Sequence, residues 1–193
     1  MNAQPETSRH LAKYIDHTLL KADATTAMIE NLCKEALTHG FYAVCVNGAH
    51  VETASRILEN TKSSLGTPVR IAAVVGFPLG AMTSESKAFE ADDAVGRGAV
   101  EIDMVMRIDL AKCGKWAELE QDVSHVVKSV KDRAIVKVIL ETNLLTREEI
   151  ARSARACSDA GAHFVKTCTG FSTAGGNAGA ASVEHVALIR ENV

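Results

Sequence analysis

Lys166 stands inside HFVKTCTG (163–170), a stretch whose apolar and small residues read as a short β-strand entered from the helix stop Ala160-Gly161-Ala162. An ammonium carried into a buried strand loses much of its hydration energy unless it is paired. Alternatively it sheds its proton and becomes a neutral amine, a nucleophile toward carbonyls. Lys166 is therefore a candidate Schiff-base residue; the plainer reading is a strand-end lysine whose stem packs while its ammonium reaches water. Side chains alternate faces along a strand. Asp16 and Thr18 thus share a face, as do Cys45 and Asn47, Glu101 and Asp103, Lys137, Ile139 and Glu141, and Phe164, Lys166 and Cys168. Lysines and carboxylates gathered in this way suit amine chemistry with proton transfer, and a buried ion-pair network without chemistry would use the same residues.

The elements that would carry these groups repeat along the chain. A short helix over Ser8–Lys13 leads to a strand over 14–20 (YIDHTLL). A helix over 25–38 follows, with Met28, Leu32, Ala36 and Leu37 near a 3.6-residue period and Gly40 as its stop. The alternation continues as strand 42–47, helix 49–60, strand 70–75, helix 84–97 closed by Gly98, and strand 100–106. Helix 114–131, strand 135–141, helix 146–160, strand 163–168 and helix 182–191 complete it.

Strands alternating with helices through short loops predict an α/β fold with a parallel sheet. An open doubly wound sheet and a TIM (β/α)8 barrel both fit that order. No GxGxxG follows the first strand, which weakens a dinucleotide-binding reading. Covered parallel strands usually read apolar on both faces, whereas here one face is repeatedly polar, with many ionisable groups toward the C-terminal half. In a barrel that face points inward, and its polar groups converge at the C-terminal mouth where barrel active sites lie.

At 193 residues, 47% hydrophobic and 23% charged, the chain has the composition of a soluble globular protein with length enough for a substantial core. A single domain over 1–193 is expected. The net charge of −3 and the absence of a Lys/Arg block argue against nucleic acid and an anionic membrane as partners. The N-terminal MNAQPETSRH has no apolar signal core, and no run approaches the roughly 18 apolar residues that would span a bilayer. A cytoplasmic location is expected. Cys33, Cys45, Cys113, Cys157 and Cys168 form no CxxC pair and the histidines show no HExxH spacing, so neither a disulfide framework nor a metal site is expected. His17 and His163 fall on the helix-facing parity and read as packing residues, as does Trp116 on a charged helix. Cys45 and Cys168 read as inward small residues or as reactive thiols. The run Gly170–Gly179 (GFSTAGGNAG) could cradle a phosphate through backbone N–H groups or serve as a flexible loop.

YIDHTLLK (14–21), AVCVN (43–47), VVGFPLGA (74–81), EIDMVM (101–106), VKVILET (136–142) and GAHFVKTCTGF (161–171) stand in order along the chain. In sequence and spacing this set resembles the deoxyribose-phosphate aldolases. The resemblance implies a TIM-barrel class I aldolase that cleaves 2-deoxy-D-ribose 5-phosphate to D-glyceraldehyde 3-phosphate and acetaldehyde, reversibly, with no cofactor or metal. It implies that Lys166 is the Schiff-base lysine and Asp103 the main proton donor and acceptor, with Asp16 and Lys137 as supporting residues. Lys137 would lower the pKa of Lys166 by like-charge repulsion, or form a plain ion pair with Asp103 or Glu101. Thr18, Cys45, Asn47, Thr169 and Gly170 are the expected substrate contacts.

Six βα units are evident where a (β/α)8 barrel of about 250 residues has eight, so an incomplete barrel is expected. The family's second active-site lysine, in a KxSGGIR-like motif of the seventh strand, and its phosphate loops after strands seven and eight have no counterpart in these residues. A six-stranded wall would leave open edges. The expectation is a homo-oligomer, with strand exchange as one way of covering them, or else a repacked sheet or a chain shorter than its functional form. A non-catalytic remnant acting as a binding or assembly subunit is the alternative function.

Overall fold

A computed structural model describes residues 11–171 and 180–193. The start of the helix expected at Ser8, and most of the run Gly170–Gly179, lie outside the described residues. Six parallel strands alternate with helices, in the sheet order β1-β2-β3-β4-β5-β6. That sequential order belongs to a (β/α)8 barrel wall, whereas a doubly wound sheet reverses direction partway. The fold is thus of the TIM-barrel class, with six βα units among the described residues. The chain divides into two compact units, residues up to 73 with Asp93–Glu101, and Val74–Asp92 with Ile102–Val193.

In the first unit, β1 (Asp16–Leu19) pairs in parallel with β2 (Ala43–Val46), Asp16 opposite Ala43 and Leu19 opposite Val46. β2 in turn pairs with the start of β3 (Arg70–Val75). The strand expected over 14–20 is shorter at its start because the Tyr14 and Ile15 N–H groups turn back to the Leu11 and Ala12 carbonyls. Helix α1 (Thr26–His39) opens on Thr25, whose hydroxyl accepts the Met28 N–H, and closes on Gly40 in the left-handed conformation. A side chain at Gly40 would also collide with Leu65 at 2.6 Å. The buried stripe of α1 is Ile29, Leu32, Cys33 and Ala36. It is rotated from the expected Met28, Leu32, Ala36 and Leu37, since i, i+3, i+4, i+7 spacing gives the tighter face. A 3-10 turn, Gly48–His50, precedes α2 (Val51–Leu58).

The second unit takes the end of β3 and most of α3 (Ser84–Gly96) and β4 (Glu101–Val105). A short helix that the sequence did not predict, α4 (Ile108–Lys112), precedes α5 (Trp116–Ser129), which is the helix expected over 114–131. Gly114, at a φ of +67°, turns the chain between them. Strand β5 (Ile135–Ile139), helix α6 (Arg147–Asp159), strand β6 (Phe164–Lys166) and helix α7 (Val183–Arg190) follow. Thr146 and Glu149 form a reciprocal capping box at the start of α6. β5 and β6 pair with Lys137 opposite Phe164 and Ile139 opposite Lys166. Every residue of β4 and the last four of β5 are buried, so these strands form the centre of the unit. Among the described residues no helix is long and apolar enough to cross a membrane.

Candidate active site

Three strands of the second unit bring Asp103, Lys137 and Lys166 together. Asp103 on β4 is 1% exposed, and its two carboxylate oxygens are divided between two amines: Lys137 Nζ lies 3.2 Å from Oδ1, and Lys166 Nζ donates to Oδ2. A buried carboxylate requires such compensation, and removing one side of a buried pair leaves an uncompensated charge. The two amines differ in access. The Lys137 side chain is 8% exposed, that of Lys166 35%. The expectation that Lys166 is buried is therefore corrected: β6 is only three residues long and ends the strand order, so its last side chain reaches solvent. The ion pair between Lys137 and Asp103, left open by the sequence, is present.

The segment after Lys166 is tied to the end of β5. The Leu140 N–H donates to the Lys166 carbonyl and the Thr142 N–H to that of Thr167. Glu141, buried and held at φ 58°, ψ 60°, accepts from both the N–H and the hydroxyl of Thr169. A side chain with this left-handed backbone carries local strain, which the surrounding hydrogen bonds offset. Gly170, exposed at φ +76°, then turns the chain to Phe171, whose ring meets Phe77 edge-on at 5.1 Å. Thr169 thus commits the polar atoms expected to meet substrate to Glu141, and its hydroxyl also accepts the Phe171 N–H. A cleft of about 500 Å³ lies beyond the ends of β3, β4 and β5, lined by Leu79, Met82, Thr83, Arg107, Ile108 and Leu144. It includes none of the three charged groups.

The remaining expected residues lie in the first unit. Asp16 is half-buried; Thr18 is exposed and its hydroxyl donates to the Asp16 carbonyl at 2.8 Å. Cys45 is buried, and the Asn47 amide donates to the Leu20 carbonyl at 3.4 Å. His17 is not simply a packing residue, for its Nε2 lies 2.7 Å from a Glu35 carboxylate oxygen. His163 of the second unit departs from that reading too: exposed, it accepts the Val136 N–H on Nδ1 at 3.0 Å and so pins the start of β5. Trp116 packs at the surface beneath the Arg152 guanidinium, 5.5 Å from the ring centre. Cys33, Cys45 and Cys157 are buried, Cys168 is half-buried and Cys113 exposed. Burial pushes the Cys33 thiol up to about 11, and Cys157, also facing the negative charge of Asp122, higher still.

The profile of the DeoC/LacD family aldolases matches residues 10–191. The chain belongs to that family. A deoxyribose-phosphate aldolase of Alkaliphilus oremlandii is 53% identical over 184 residues, covering 95% of this chain and 78% of its own. A crystal structure from Coccidioides immitis assigned to the deoxyribose-phosphate aldolases superposes with a TM-score of 0.85 at 39% identity, covering 97% of this chain and 69% of that one. The deoxyribose phosphate aldolase of Aeropyrum pernix, a tetramer, superposes with a TM-score of 0.76 at 34% identity over 86% of this chain and 67% of its own.

Within this DeoC/LacD chain, one ionic cluster escaped the sequence reading. Lys87 on α3 is completely buried, and its Nζ donates to the Val105 carbonyl at 2.9 Å and to Asp122 Oδ2 at 2.8 Å. Asp122 on α5 is 1% exposed and accepts the Ser84 hydroxyl on Oδ1 at 2.9 Å. Burial holds the Lys87 ammonium below the usual lysine range, more than the opposing Asp122 raises it. A signal was available: Lys87 precedes Ala91 and Ala94 at the i, i+4, i+7 spacing of a buried face, and Asp122 sits among Leu119, Val123 and Val126.

Proposed function

We propose that the chain is a class I aldolase that cleaves 2-deoxy-D-ribose 5-phosphate reversibly to D-glyceraldehyde 3-phosphate and acetaldehyde. The observation that carries this reading is the buried Asp103 carboxylate shared by two lysines, only one of which, Lys166, opens to solvent. Membership of an aldolase family, and relatives named for this reaction, support the substrate.

In the proposed course the neutral Lys166 amine adds to the aldehyde carbonyl of the open-chain sugar, and loss of water leaves an iminium. Asp103, through a water, removes the proton of the C3 hydroxyl. The C2–C3 bond then breaks, glyceraldehyde 3-phosphate leaves, and the bond pair passes into an enamine of the remaining two carbons. Protonation at carbon regenerates the iminium, and water releases acetaldehyde and the free amine. Lys137 holds the second carboxylate oxygen throughout, which keeps Asp103 oriented. Asp16 is proposed as a further supporting group, with Thr18, Cys45, Asn47 and Gly170 toward substrate, while Thr169 serves by holding Glu141. A cytoplasmic homo-oligomer is the companion proposal, supported by the exposure of Phe164, Val183 and Val186 on β6 and α7; light scattering in solution tests it.

Borohydride reduction in the presence of acetaldehyde, read by peptide mass spectrometry, tests the chemistry. A reduced two-carbon adduct on Lys166, absent in Lys166→Ala, is the expected result. A folded protein that gives no adduct sinks the reading.

A further inference from the structure

Lys87 is the fully buried lysine of the second unit, and one of its two partners lies at the end of the strand that carries Asp103. Val105, whose carbonyl accepts from Lys87 Nζ at 2.9 Å, closes β4 two residues after Asp103 and shares its face. Asp122 holds the same Nζ at 2.8 Å, and Ser84 holds the other Asp122 oxygen at 2.9 Å. The chain leaving β3 closes over the same point. A Cβ at Gly80 would stand 1.9 Å from the Met106 carbonyl oxygen, and one at Gly76 would stand 3.1 Å from the Lys87 stem. The Gly76 N–H donates to Glu90 Oε2 at 2.8 Å, which fixes that turn on α3. The Met106 N–H reaches the Ile139 carbonyl at 3.1 Å, on the strand that carries Lys137.

Stability alone explains such a cluster poorly, because apolar residues of similar volume often replace a buried ion pair without loss. What a lysine supplies and a methionine does not is a donor fixed on a backbone carbonyl. Without it the Val105 oxygen loses that partner in a buried strand end, and the strand must shift to find another. Asp103 tolerates little movement, since one carboxylate has to meet Lys137 on one oxygen and Lys166 on the other.

We propose that Lys87, clamped by Asp122 and Ser84, is a positioning residue: by holding the Val105 carbonyl it fixes the end of β4 and so the Asp103 carboxylate between Lys137 and Lys166. It touches no reacting atom. The proposal rests on the aldolase reading above, and predicts a defect in proton transfer rather than in iminium formation.

The test is the double variant Lys87→Met/Asp122→Leu, which removes both charges and refills their volume. Parent and variant are compared by thermal melt, borohydride trapping with acetaldehyde, and the kinetics of deoxyribose 5-phosphate cleavage. The expected variant melts cooperatively, traps acetaldehyde on Lys166 as the parent does, and keeps KM within about threefold while kcat falls about tenfold to a hundredfold. A folded double variant with the parent's kcat overturns the positioning role. If the double variant does not fold, Ser84→Ala decides, since it leaves both Lys87 bonds in place and frees Asp122 on one side. There kcat falls about twofold to fivefold at unchanged KM, and the parent's kcat overturns the proposal. A parent that forms no adduct on Lys166 overturns the aldolase reading and this role with it. An adduct in the parent beside an unaltered kcat in the folded variant removes this role alone.

Discussion

Lys87 with Asp122 and Lys166 with Asp103 are both lysine–aspartate contacts of the second unit, with an aspartate 1% exposed in each, yet they are built for opposite ends. In the first, the lysine is also sealed from solvent, and both carboxylate oxygens and a backbone carbonyl are matched to donors. In the second, the carboxylate serves two amines and one of these keeps a solvent-facing side of 35%. Burial therefore does not identify the reactive lysine. The deeper of the two is a clamp, and the accessible one, with a shared counter-ion, can meet a carbonyl.

Substitutions should separate the two contacts most sharply at Lys166. Lys166→Ala is expected to reduce cleavage of deoxyribose 5-phosphate to background, while the melting temperature moves by only a few degrees, as befits a partly exposed pair. A coupled assay for the released triose phosphate, run beside a thermal melt, reads both. Asp103→Asn comes next: kcat is expected to fall about a hundredfold or more, because a neutral amide does not accept the transferred proton. Single-turnover kinetics would show whether an iminium still forms in that variant; normal turnover would remove Asp103 from proton transfer. At the clamp the order inverts. Lys87→Met alone leaves the Asp122 carboxylate buried without its cation, and a loss of about 3–5 kcal/mol is expected in a urea titration. A change below about 1 kcal/mol would mean that the carboxylate is compensated elsewhere.

The smallest effect is one of pH. Since burial lowers the folded-state pKa of Lys87 from the usual 10.5, the unfolded chain binds the proton more readily in the interval just below that value. Stability contributed by this group must then rise with pH across the interval. Urea titrations at a series of alkaline pH values should show that rise for the parent relative to Lys87→Met/Asp122→Leu. Parallel curves would argue that Lys87 keeps an ordinary affinity for its proton.

Local rules carried the sequence a long way. Alternation placed β2 through β5 within one or two residues, and Gly40 marked the end of α1 because a left-handed turn is a local requirement. The candidate site was legible for the same reason: parity put Asp103, Lys137 and Lys166 on comparable faces, and the structure joins them. What parity could not supply was depth. Whether a strand residue is sealed depends on its neighbours in space, and Lys166, on the short β6, is more open than its apolar surroundings in sequence suggest. Helix α4 was missed because IDLAK is too brief for a periodic signal, whereas the longer α5 was legible over 114–131. Lys87 and Asp122 were missed because each looks like a charge on a solvated helix until the two are seen to face one another.

The graded burial of the five cysteines makes the chain its own labelling reporter. A thiol-reactive dye added to the native protein should modify Cys113 first, at the junction of α4 and α5, and Cys168 more slowly, two residues from Lys166. Cys33, Cys45 and Cys157 should stay silent until the fold opens. Counting modified thiols against time would then distinguish occupation of the amine's neighbourhood, which shields Cys168 alone, from loss of the core, which exposes all five at once.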